Sequence, residues 1–160
     1  MKILFYKNNQ IDKEEWDEHI RQSKNGLIYA QSVYLDFMTE GWCVLKDEET
    51  QSIMPLPLKK KFGISYLYQP PFVQQLGIFS RQPLNTEIID SFLRRAEEIS
   101  KSISLYLNYE NPYPLAKERC NYILNLSSPF ENLKKKFRND LISKPLSLNL
   151  TFEESPSEEV

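Results

Sequence analysis

Two adjacent amides, Gln74 and Gln75, follow the pair Pro70-Pro71 and precede Leu76-Gly77-Ile78-Phe79. Neither proline can donate a ladder hydrogen bond, so a strand running through Tyr68-Gln69 must leave regular pairing before one resumes at Leu76. An interruption between apolar strands opens a cleft for a ligand, and Gln69, Gln74 and Gln75 offer amide donors and acceptors to orient a polar one. Gly77 gives the backbone room for close approach. A competing reading assigns Gly77 to a bulge and gives Gln74 and Gln75 the backbone groups that the prolines leave exposed.

Other chemistry-bearing residues are few. Glu110, beside Tyr109 in a proline-bearing loop, has the type of a general base toward an amine, with Tyr68 or Tyr113 as the acid. His19, the single histidine, falls on the apolar side of an early helix and reads as a satisfied structural residue. Cys43 and Cys120 have neither zinc nor redox spacing, so no metal site and no thiol nucleophile are expected. The runs Lys59-Lys60-Lys61 and Lys134-Lys135-Lys136 read as solvated charge, at a turn and on a late helix.

The elements that position these groups follow from periodicity. A strand is expected over Lys2 to Tyr6. A helix follows from the Asp12 cap to about Ser23, with Glu15 completing a capping-box variant and Asn25-Gly26 stopping it. A second helix spans Gln31 to Met38 and ends near Gly41. Strands follow at Trp42 to Lys46, Ser52 to Lys60 and Ile64 to Tyr68, the last two forming a hairpin about Gly63. Thr86 to Lys101 carries an apolar stripe at helical period, with Glu97 and Lys101 paired across one turn. Strands over Ser102 to Asn108 and Asn121 to Leu126, a basic helix from Phe130 to about Ser143 and a strand over Leu146 to Phe152 complete the reading.

At 160 residues and a net charge of −2, the chain suits one domain over residues 1–152, followed by an acidic flexible tail at 153–160. Scattered basic residues speak against DNA binding. With no signal peptide and no long apolar run, a cytoplasmic protein without membrane insertion is expected.

The element order, with Trp16, Asn25-Gly26-Leu27-Ile28-Tyr29, Tyr34-Leu35, Gly41-Trp42, Met54-Pro55-Leu56-Pro57, Tyr68-Gln69-Pro70-Pro71-Phe72 and Gln74-Gln75-Leu76-Gly77, resembles the first lobe of the bacterial Fem-type GNAT proteins. These are similar to the peptidoglycan-bridge aminoacyl transferases, and the likeness covers about residues 1–142. It implies an α+β GNAT-like acyltransferase fold with α/β/α-like layers, a mostly antiparallel mixed sheet flanked by helices. It further implies N-acyl or aminoacyl transfer from an acyl-CoA or charged tRNA to a small amine or peptide acceptor. Against the GNAT donor pattern, Gln74-Gln75-Leu76-Gly77-Ile78-Phe79 half fits, since Phe79 stands where a small residue is wanted. Family members carry a second lobe that holds much of the donor. A lobe alone would instead be a non-catalytic binding or assembly module, pairing with a second copy or with a separate second lobe.

Overall fold

The computed structural model describes residues 2–123, 125–135 and 137. The chain divides into two units at Lys117/Glu118. In the first, β1 (Ile3–Tyr6), β2 (Trp42–Asp47), β3 (Ile53–Lys61) and β4 (Ile64–Leu67) form one antiparallel sheet in chain order. Helices α1 (Lys13–Gln22), α2 (Ser32–Met38) and α3 (Thr86–Ile99) accompany it. The unit is thus α+β, as expected, with a sheet whose named strands are all antiparallel.

Strand alternation sorts the core onto two faces. Trp42, Val44 and Ile53 turn toward Trp16 and Ile20 of α1 and Leu35 of α2. Leu45, Met54 and Leu56 turn the other way, against Ile89, Phe92 and Ala96 of α3. Both faces are therefore covered, and the five residues Ile53–Pro57 of β3 are all buried.

The first helix starts where Asp12 accepts hydrogen bonds from the Glu14 and Glu15 amides at 3.0 and 3.1 Å. The Glu15 carboxylate does not complete the expected capping box. It meets Lys46 Nζ at 3.0 Å, because the neighbouring strand offers a cation within reach. Helix α2 is capped from a distance: Asp17 accepts from the Ser32 amide and hydroxyl at 2.6 and 2.7 Å. The two indoles join these helices to the sheet, with ring centroids 4.9 Å apart. Trp16 donates to the Ala30 carbonyl and Trp42 to Asp36. On α3 the ion pairs are Asp90–Arg94 and Arg95–Glu98; Lys101 lies past the helix end, where it cannot continue a turn with Glu97.

Three expected strands are corrected. Leu76–Phe79 and Ser102–Asn108 make only isolated bridges, Ile53 with Phe79, Leu67 with Ile103 and Leu76 with Leu107, for a reason given below. In the second unit, residues 121–123 and 125–126 form no strand, and Tyr122, Ile123 and Leu126 are exposed. Helix α4 covers Phe130–Lys134, and the expected continuation to Ser143, the strand at Leu146 to Phe152 and the tail lie outside the described residues.

The β3–β4 turn places Phe62 at φ +51° and Gly63 at φ +81°. Positive φ at both central residues is the hairpin geometry that matches strand twist. Phe62 adopts it as an exposed ring, 92% accessible, and gains little burial for the strain. Phe62→Asn is therefore expected to stabilise the protein by about 1 kcal/mol, read as a higher urea midpoint at unchanged slope.

Candidate functional site

The break in the sheet originates in β3 itself. Ile53 exchanges both backbone hydrogen bonds with Phe79, at 2.9 and 2.7 Å, so its polar groups face the edge remote from β2. Alternation turns Pro55 and Pro57 to that same edge, where each presents a carbonyl and no N–H. Strand β4 follows β3 only as far as Pro57, whose carbonyl accepts from the Tyr68 amide at 3.2 Å. Pairing returns at Ile53. Between these points β3 moves from residue 57 to 53 while its neighbour moves from 68 to 79, and the surplus chain leaves the sheet as an excursion.

The excursion turns at Pro70–Val73, where the Val73 amide donates to the Pro70 carbonyl at 3.2 Å. Phe72 takes the third position with φ +61°, a place usually given to glycine, and its ring is 85% exposed. On the outer side, the segment after α3 runs parallel to β4, bonded to Leu67 through Ser102 and Ser104. It meets the returning chain where the Leu76 amide donates to the Tyr106 carbonyl at 2.8 Å. Single bridges rather than strands result, because the excursion separates the two contacts.

Glutamine side chains span the gap. Gln69 Oε1 accepts from the Tyr106 amide at 3.0 Å while its Nε2 donates to the Val73 carbonyl at 2.7 Å. Gln75 Oε1 accepts from the Tyr109 amide at 3.1 Å. These contacts replace ladder bonds, which agrees with the structural reading of Gln75 and extends it to Gln69. Gln74 lies exposed on the excursion.

Behind the gap, three buried asparagines enclose one peptide unit. Asn25, Asn108 and Asn111 all donate Nδ2 to the Ile78 carbonyl, at 2.7, 3.2 and 2.9 Å, and the Ile78 amide donates to Asn111 Oδ1 at 2.7 Å. Asn25 Oδ1 also accepts from the Ser80 amide at 3.1 Å. Asn108 Oδ1 accepts from Asn25, from Asn111 and from the Glu110 amide. Gly77 makes this possible. Its φ is +93°, and a Cβ there would stand 2.3 Å from Asn111 Oδ1. Asn25, expected only to stop α1, is thus a structural link, and the side chains of Asn108 and Asn111 drew no notice in the sequence.

The candidate acid–base residues divide. Glu110 is exposed on the turn that Asn108 fixes. Tyr68 packs its ring under Lys59 Nζ, 4.8 Å from the centroid, and its hydroxyl is buried without a hydrogen-bond partner. Tyr113 donates to Asp90 Oδ1 at 3.3 Å; burial and the Asp90 charge push its phenol up. Gln69, Gln75, Gly77 and Glu110 thus border one junction, while Tyr113 is engaged at α3. Burial pushes the Cys43 thiol up. Among the described residues no group of three His, Cys, Asp or Glu side chains is placed to hold a metal ion.

His19 departs from expectation. It is 8% exposed, and its Nε2 is buried without a partner. Burial, with Arg81 and Lys46 adding repulsion, pushes its pKa down to about 4, while Glu15 and the Phe79 backbone oppose the shift. The folded protein therefore prefers neutral His19.

Gly77→Ala is expected to destabilise by about 2–4 kcal/mol through strain and overpacking, and Asn111→Ala by about 1–3 kcal/mol through the orphaned Ile78 amide. Denaturant unfolding checks both; parity with the parent for either variant contradicts the packing described. For His19, the unfolded chain takes up a proton near pH 6.5 and the folded one only near 4. Its stabilising contribution is complete above pH 6.5, falls by up to about 3 kcal/mol as pH drops to 4, and levels off below. Unfolding free energies for parent and His19→Gln across that window should converge toward acid pH.

No protein-family model matches this chain, and no curated protein or solved structure is significantly similar to it.

Proposed function

We propose that this chain is a GNAT-type lobe of the Fem-like kind, related to N-acyl or aminoacyl transfer from a CoA thioester or charged tRNA to an amine. The observation that carries the reading is the break between Leu67 and Leu76, flanked by parallel bridges, with Glu110 exposed next to Tyr109, whose amide Gln75 holds. A sheet edge opened beside an accessible carboxylate suits a nucleophilic amine and an extended acyl donor. Glu110 takes a proton from the acceptor ammonium, and the freed amine attacks the acyl carbonyl. The tetrahedral centre collapses as the thiolate or ribose oxygen leaves, and that group takes the proton that the attacking nitrogen still has to lose. No covalent enzyme intermediate forms.

A second reading, an assembly module, is favoured by apolar exposure. Val33 and Phe37 lie one helical turn apart on α2, 60% and 83% exposed, and the Tyr34 hydroxyl ties the same helix to the Phe72 carbonyl at 2.9 Å. Phe72 itself is 85% exposed. Large apolar side chains held in water fit a second copy or a separate second lobe. Among the described residues no helix is long and apolar enough to cross a membrane.

Thermal unfolding with CoA, acetyl-CoA and longer acyl-CoAs separates the two readings. A donor at about a hundred times its dissociation constant raises the midpoint by roughly 5–10 °C, and Glu110→Gln should keep that shift while abolishing transfer to an amine. Gln75→Ala is the wrong probe, since it removes a structural bond. No shift with any donor, together with a dimeric mass lost in Phe72→Ser, sinks the transferase reading in favour of the module.

A further inference from the structure

A cleft of about 250 Å³ lies between α1 and the first strands, and it meets the parted region only at Ile53. Ile11, Trp16 and Val44 supply apolar walls, and Glu15, His19 and Lys46 the polar groups. The remaining polar side chains with known bonds are committed: Asp12 caps α1, and Gln10 Oε1 accepts from the Lys7 amide.

Two features ask for a ligand of one kind. His19 Nε2 is sealed from solvent without a partner, a costly state that an incoming donor relieves. The Phe79 backbone lies within reach of the same ring and opposes the fall in its pKa. Beside it, Glu15 and Lys46 hold opposite charges only 3.0 Å apart, with side chains 70% and 30% exposed. That pair is weak in water and open to exchange for other partners. A ligand using both charges must carry its own ammonium and carboxylate equally close together. A free α-amino acid does so, whereas the ends of a peptide do not.

We propose that this cleft binds a free α-amino acid with an apolar side chain. The ligand carboxylate pairs with Lys46, its ammonium donates to Glu15 and, after a small turn of the ring, to His19 Nε2, and its side chain lies against Trp16, Ile11 and Val44. The site does not depend on acyl transfer, and its ligand shares no atom with the break.

Because His19 is the only histidine, its ring nitrogens give unambiguous NMR signals. The full chain is titrated at neutral pH with L-leucine, L-phenylalanine and glycine, and with the half-ligands 3-methylbutylamine and 4-methylpentanoate. Saturable movement of the His19 signals is expected with leucine or phenylalanine at millimolar concentration, with each half-ligand weaker by about tenfold or more. Glu15→Gln and Lys46→Met, both at the exposed rim, should each weaken leucine by a similar factor while leaving any CoA-induced thermal shift intact. The proposal is overturned if no amino acid moves the His19 signals, if an amine or carboxylate alone binds as well as leucine, or if neither rim variant changes the affinity.

Discussion

Two prolines at alternate positions of one strand govern the candidate site. Pro55 and Pro57 pair well with β2, because the edge they turn toward it needs nothing from their nitrogens. On the opposite edge they withhold two N–H groups in succession, and a neighbouring strand can gain little there. The sheet therefore parts between Pro57 and Ile53, and everything peculiar to the region follows: the excursion from Tyr68 to Gln75, the parallel segment outside it, and the reliance on side-chain amides.

A parted sheet leaves backbone groups to satisfy inside the protein, and the chain does this twice over. At the rim, Gln69 and Gln75 reach across to the amides of Tyr106 and Tyr109. Deeper in, Asn25, Asn108 and Asn111 surround the Ile78 peptide so that its carbonyl and amide are both engaged. The difference in depth matters. Exposed amide contacts can exchange with water or a ligand at little cost, whereas the buried set loses its full desolvation if broken. A rigid base below an adaptable rim is a sound arrangement for a binding edge, and it places Glu110 on a turn that the base holds.

Much of this was legible in the sequence. Apolar periodicity located α1, α2, α3 and the four strands to within a residue or two, since each buries a face whose spacing repeats. The doublet Pro70-Pro71 announced the excursion. The reason for the break was less visible, because the meaning of Pro55 and Pro57 depends on which edge their nitrogens face, and that is fixed only by the register with β2. The asparagine cluster was hidden for a related reason: Asn25 and Asn108 are 83 positions apart, and no local pattern links them. His19 was legible as an apolar-face residue but not as one with an orphaned nitrogen. The cleft beside it joins α1 to β1 and β2, a convergence that spacing within one element cannot reveal.

Native-state hydrogen exchange tests the central claim most directly, namely that side-chain amides hold a parted sheet with a firm base and a yielding rim. The amides of Ile78 and Ser80 should exchange only through global unfolding, with the denaturant dependence of the whole unit. Those of Tyr106 and Tyr109 should exchange through smaller openings with little denaturant dependence. If Ile78 and Ser80 exchange as fast as Tyr106 and Tyr109, the asparagines do not anchor the region and the account fails.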